Sequence, residues 1–156
     1  MGAQPYAFSL PLIIQEGFEI EKIEKILDDV KFWLSKLDAN LITSDTKVVE
    51  ANVDMIINTS GIGIRNEHLA KNLEVVREFR GYPYSWIRDC GLKEGDVIIV
   101  SGNIAEHGVA IMLERGFELD VKSDVYPVWL FLKNILDVGI TTMKDPTRGL
   151  STQRSG

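Results

Sequence analysis

Residues 19–37 carry the pattern that most restricts what this chain can fold into. Ile20, Ile23, Leu27, Val30, Leu34 and Leu37 recur at three- and four-residue steps, and Ile26 and Trp33 widen the stripe. That spacing predicts an amphipathic helix, and its apolar face needs a surface to bury it. The neighbouring segments have a different character. Residues 5–14 (PYAFSLPLII), 41–49 (LITSDTKVV) and 53–64 (VDMIINTSGIGI) are rich in apolar and β-branched residues and are bounded by turn formers. The order strand, helix, strand, strand predicts a helix packed on one face of a sheet, an α+β layer. Pro11 marks an edge or a bulge near the end of the first strand. Glu21 and Lys25 stand four apart on the wet side of the helix, and Trp33 reads as core.

Within residues 41–49 a strand runs into a small polar cluster and re-enters a sheet. The turn presents a carboxylate (Asp45), a hydroxyl (Thr46) and an ammonium (Lys47) at a strand end. An Asp can hold Mg²⁺ through oxygen, and a Lys can neutralise phosphate as a point charge. An ordinary polar turn with an Asx-type bond has the same composition.

Further along, residues 65–80 read as a short, mostly exposed helix around Leu69, Leu73 and Val76, with His68 on its surface. Residues 81–84 read as a linker or hinge. Residues 97–100 form a four-residue apolar strand that stops at Ser101-Gly102-Asn103. Residues 104–115 then read as a helix with Ile104, Ile111 and Met112 inward. Free backbone N–H groups at such a helix start make an anion site plausible, and His107 lies in that first turn. Its ordinary role there is a bond to a nearby backbone carbonyl.

Residues 117–122 read as a short extended stretch. Asp124 reads as an N-cap, with Pro127 in the first turn of a helix whose stripe is Val128, Leu132, Ile135 and Leu136 and whose stop is Gly139. A last short strand, residues 140–143, leads to a polar loop with Asp145 and Arg148. Residues 150–156 lack any apolar pattern and are expected to be disordered.

The chain has 156 residues, 45% of them hydrophobic and 26% charged, enough for a buried core. A net charge of −6 argues against nucleic-acid binding, which needs Lys and Arg to neutralise phosphates. No apolar run is long enough for a membrane span. The N-terminus lacks a basic region followed by an apolar one. Cys90, the single cysteine, cannot form an internal disulfide and reads as a spectator. Together these features point to a cytoplasmic protein.

Five segments in order resemble the HypE family of hydrogenase maturation proteins, within the aminoimidazole ribonucleotide synthetase-like (PurM-like) superfamily. They are residues 1–26, SDTKVV, NTSGIGI, GDVIIVSGNIAEHG, and KSDVYP followed by MKDPTRG. The resemblance covers nearly all of residues 1–149. It implies an α+β fold, with a ferredoxin-like sheet carrying helices on one face followed by the start of a second α+β domain. Residues 1–64 would be the later part of an N-terminal domain, 65–92 an extended connection, 93–149 the start of a C-terminal domain and 150–156 a tail. The implied activity is ATP-dependent dehydration of a carbamoyl-cysteine to a thiocyanate, the source of the cyanide ligands of [NiFe] hydrogenase. The implied partners are a second copy of the chain, the maturation carbamoyltransferase and iron-scaffold proteins.

The same resemblance assigns nucleotide-binding positions to Asp45, Thr46, Lys47, Ser101, Gly102, His107, Asp145 and Arg148, with Asp45 also on Mg²⁺. It covers only the middle of the family's length. The family's aspartate-rich Mg-ATP segment and its mobile C-terminal cysteine lie outside it, so a truncated chain with weak or absent ATP binding and no catalytic residue of its own is expected. Three departures stand out: Ser44 for the family's Gly, Ala105-Glu106 for its Gly-Asp before His107, and Leu150 for a second Gly. Two other readings stay open: a non-catalytic remnant or dimerising module, and another PurM-like synthetase or kinase.

Overall fold

A computed structural model describes residues 1–116 and 120–145. The architecture is α+β, as the strand and helix patterns imply. The described residues form two compact units. The first is Gly2–Trp86 with Pro127–Gly139; the second is Met1, Ile87–Tyr126 and the described residues from Ile140 on.

The first unit contains β1 (Gln4–Ser9), β2 (Leu12–Gln15), α1 (Ile20–Leu37), β3 (Asn40–Thr43), β4 (Thr46–Val49), β5 (Met55–Ile57), β6 (Ser60–Ile64) and α2 (Glu67–Arg80). Each long apolar run of the sequence is split in two. Pro11 has no N–H to give a ladder, so the first run breaks at Leu10-Pro11. The second breaks at Ser44-Asp45 and the third at Asn58-Thr59. The strand halves form two three-stranded sheets, ordered β3-β1-β6 and β4-β2-β5. In each, the central strand has one parallel and one antiparallel neighbour. The three breaks therefore line up as a crease across three chain segments. Bonds bridge that crease: Leu10 N–H to Thr43 O at 3.0 Å, Leu12 N–H to Asp45 O at 2.7 Å and Asn58 N–H to Pro11 O at 3.1 Å.

Helix α1 covers one face. Ile23, Leu27 and Val30 pack with Phe18 and Met55 against buried Leu10, Leu12 and Ile14. Ile20, placed inward by the periodicity, is the first residue of the helix and is 67% exposed. The ion pairs on α1 are Glu19–Lys22 and Asp28–Lys31, three residues apart, rather than Glu21–Lys25. An apolar cavity of about 280 Å³ remains between α1 and β1/β3, lined by Phe8, Ile26, Trp33, Leu34 and Leu41.

Helix α2 is far less exposed than its charged flanks predict. Leu69, Leu73, Val76 and Asn72 are fully buried. Asn66 caps the helix, its Oδ1 accepting Leu69 N–H at 2.9 Å. The segment Pro127–Gly139 docks on it: Asn72 Oδ1 accepts Gly139 N–H at 3.1 Å and Lys71 pairs with Asp137 at 3.2 Å. Gly139 has φ +95°, and a Cβ there would lie 2.9 Å from Val75 Cγ1, so only glycine fits. The expected hinge at residues 81–84 is tied down as well. Tyr82 is buried, and its hydroxyl donates to Trp86 O at 3.2 Å. Asp124 is not the N-cap of the next helix, which is only the four residues α4 (Trp129–Leu132).

The second unit differs from its expectation in several places. Residues 97–100 form no strand, and their side chains are 57 to 87% exposed. A β-prone run needs a ladder to satisfy its backbone, and no described strand lies beside this one. Helix α3 (Glu106–Leu113), numbered here in chain order ahead of α4, buries no residue, and Ile104, Ile111 and Met112 face solvent. Residues 140–143 contribute a single parallel bridge, Arg88 to Thr142. Residues 117–119, part of the expected extended stretch, and the tail lie outside the described residues.

Candidate functional site

The nucleotide-site residues read from the sequence fall into two sets, one in each unit. In the first unit, Asp45 sits on the crease between β3 and β4, while Thr46 and Lys47 belong to β4 rather than to a turn. Lys47 is opposite Ile13, and Ile13 is opposite Ile56. Paired residues share a face, so Lys47 projects from the face that α1 does not cover. Thr46 shares the other face with buried Leu12. The side chains of Asp45 and Lys47 are exposed and make no hydrogen bond or ion pair among the described residues. The backbone beneath them is fixed: Asp45 O accepts from buried Leu12, and the neighbouring Ser44 Oγ donates to Leu10 O at 2.8 Å. The result is a carboxylate, a hydroxyl and an ammonium held on rigid backbone with the two charged groups free.

In the second unit, Ser101 and Gly102 lie in an exposed bend before α3. His107 is better anchored than a first-turn histidine needs to be. Its backbone N–H donates to Asp124 Oδ1 at 3.0 Å, and its Nδ1 lies 2.9 Å from Ser123 Oγ. Ser123 Oγ also accepts Val125 N–H at 3.2 Å. Asp124 thus caps α3 from 17 residues away, in place of capping the helix after it. The ring's Nε2 has no partner among the described residues. Ser123 was legible only as part of the KSDVYP resemblance, and Asp124 as a cap for the following helix; no local pattern tied either to His107. Ala105, at the start of α3, adopts φ +71°, a left-handed conformation that suits glycine. Asp145 is exposed, and Arg148 lies outside the described residues.

Among the described residues no group of three or more His, Cys, Asp or Glu side chains converges, so no all-protein cage exists. Mg²⁺ is commonly held by one or two carboxylates plus substrate phosphates and waters. Asp45 with Lys47 beside it in sequence fits that phosphate-bridged mode. A groove of about 460 Å³ elsewhere in the first unit, lined by Lys36, Asp38, His68, Trp129 and Lys133 among others, contains none of these candidates.

Known proteins match nearly the whole chain. The chain is 46% identical over 154 residues to a putative hydrogenase expression/formation protein of Methanocaldococcus jannaschii. It is 33% identical over 156 residues to the carbamoyl dehydratase HypE of Rhizobium leguminosarum bv. viciae. Over nearly its whole length the chain is similar to HypE proteins. The matches take in 96% and 95% of this chain but only 41% and 40% of those relatives, so it spans about two-fifths of their length. Among solved structures, a chain of a HypE–HypF complex superposes with a TM-score of 0.75 at 31% identity, covering 95% of this chain and 46% of that one. A HypE crystal structure gives 0.71 at 30% identity, covering 95% and 43%. Thiamine monophosphate kinase from Aquifex aeolicus shares the fold alone, at a TM-score of 0.50 and 16% identity over 87% of this chain and 38% of that one. No family model matches the chain. Among the described residues no helix is long and apolar enough to cross a membrane.

Proposed function

We propose that this HypE-like chain supplies the Asp45–Lys47 part of a Mg-nucleotide site used in cytoplasmic maturation of [NiFe] hydrogenase, in ATP-dependent dehydration of a carbamoyl-cysteine to a thiocyanate. The observation that carries this reading is the 46% identity to a hydrogenase expression/formation protein across nearly the whole chain. The geometry supports it, because the family-matched Asp45 and Lys47 emerge unpaired from a braced crease. Asp45 would hold the cation, Lys47 would approach phosphate, and Thr46 would orient the strand between them. Ser101, Gly102, His107, Asp145 and Arg148 would complete the nucleotide contacts. When bound, ATP supplies the phosphoryl group that turns an amide oxygen into a leaving group. Cys90 is half-buried and tethered on both sides, so it is a poor substitute for a thiol on a mobile tail. The family's partners, a maturation carbamoyltransferase and iron-scaffold proteins, are proposed here as well; the HypE–HypF complex supports the first.

The test is calorimetry of the chain with Mg-ATP. Weak binding, about millimolar and no tighter, is expected, a scale of roughly −4 kcal/mol. It should vanish in Asp45→Asn and weaken in Lys47→Ala. Binding that ignores both substitutions would overturn the reading.

A second reading, a dimerising module, is favoured by the sheet face opposite α1. Ile13 and Ile56 are opposed there and are 40% and 48% exposed. Exposed apolar patches mark interaction surfaces. Sedimentation should show a homodimer that Ile13→Asp dissociates; a monomeric wild type would remove this reading.

A further inference from the structure

We infer that Ser44 is a positioning residue, holding Asp45 at the crease in the direction a phosphate-bound Mg²⁺ needs; this rests on the nucleotide-site reading above.

A crease is where a sheet loses ladder bonds, and each lost bond leaves a backbone group to satisfy. Leu10 is 3% exposed, and the residue after it is Pro11. The Ser44 hydroxyl takes the Leu10 carbonyl at 2.8 Å. On either side of it, Thr43 O accepts Leu10 N–H at 3.0 Å and Asp45 O accepts Leu12 N–H at 2.7 Å. Three successive residues, 43 to 45, are therefore each bonded to the buried pair Leu10 and Leu12. Of the charged groups in this stretch, the Asp45 carboxylate is left exposed and unbonded among the described residues.

Ser44 does not adopt a left-handed conformation, so it sits there without the strain that would call for glycine. The hydroxyl adds a bond that a glycine could not make. Mg²⁺ demands near-ideal octahedral geometry, whereas Ca²⁺ accepts irregular shells of six to eight oxygens. With one protein carboxylate in reach, the direction of that carboxylate decides whether the small ion is held. Loosening residue 44 should therefore cost Mg²⁺ more than Ca²⁺.

The experiment follows the Thr46 and Lys47 amides of the full chain by NMR during titration with Mg-ATP and, separately, Ca-ATP. It uses wild type, Ser44→Ala, Ser44→Gly, Ser44→Thr and Asp45→Asn, with urea midpoints as the control for folding. Ser44→Ala and Ser44→Gly should lose about tenfold in Mg-ATP affinity, the scale of a lost supporting hydrogen bond at a metal site. Ca-ATP affinity should change markedly less, and Ser44→Thr should restore Mg-ATP binding. Equal losses for both ions in Ser44→Ala, or no loss at all, would overturn the positioning role while a response abolished by Asp45→Asn kept the nucleotide site. A wild type that shows no response, or one that Asp45→Asn does not alter, would sink the nucleotide-site reading and this proposal with it.

Discussion

The two units use similar residues and reach different states. In the first, the apolar stripe of α1 meets Leu10, Leu12 and Ile14, and α2 buries three apolar side chains and Asn72 completely. In the second, Val97, Ile98, Ile99 and Val100 are as hydrophobic as any strand in the chain, yet all are exposed, and α3 buries nothing. The difference is partnership. A helix satisfies its own backbone and needs only a surface for one face. A strand satisfies nothing alone, because every N–H and C=O waits for a neighbour. Residues 12–15 have neighbours on both sides; residues 97–100 have none among the described residues. Hydrophobicity therefore states what a segment can bury, and pairing decides whether it does.

The largest expected effect sets the two units against each other directly. Leu73→Ala, at a fully buried position, should cost about 2–5 kcal/mol in urea unfolding. Ile98→Ala, at a position 72% exposed, should stay within about 0.5 kcal/mol. Comparable losses in the two variants would show that the second unit has a core of its own. A smaller effect concerns Ala105 at φ +71°. Ala105→Gly should relieve about 1 kcal/mol of left-handed strain. Slower amide exchange around Glu106–Leu113, with no change in the β1 amides, would register it; uniform change would show that the units unfold together.

The smallest effect is electrostatic. The hydrogen bond from Lys71 holds the Asp137 carboxyl below its ordinary value, with its own backbone bond adding to the effect. In the window between the folded value and the ordinary one, the unfolded chain binds more protons. The stabilisation is therefore complete above the ordinary carboxylate range and is lost as pH falls through the folded value. Because the pair is exposed, Lys71→Met should change stability little, but the Asp137 carboxyl carbon should titrate at higher pH by NMR. An unmoved titration would show that the ion pair does not hold the Pro127–Gly139 segment.

The legible parts of the sequence were those whose cause is local. The three- and four-residue steps of residues 19–37 settled that a helix forms, because each turn carries its own bonds and the stripe repeats within the segment. SDTKVV could be matched as a motif because short polar clusters survive in sequence order. What local pattern could not show was the crease. Pro11 marked a break in one strand, but nothing near residues 44–45 or 58–59 says that their breaks align with it. That alignment exists only when three distant segments lie side by side.

Burial was misjudged for the same reason. The charged flanks of α2 suggested an exposed helix, whereas the distant segment Pro127–Gly139 docks on it, with its carboxylate on Lys71 and its glycine on Asn72. Asp124 looked like a local cap and became a distant one, because a carboxylate binds whichever helix start the fold brings to it. Sequence by itself determined which segments are helical or β-prone and which residue types could meet a nucleotide. Tertiary structure alone decided which strands found ladders, which faces were covered and that Asp45 lies on a crease. Helical bonds close within a few residues, whereas strand pairing, burial and side-chain direction depend on groups far apart in the chain.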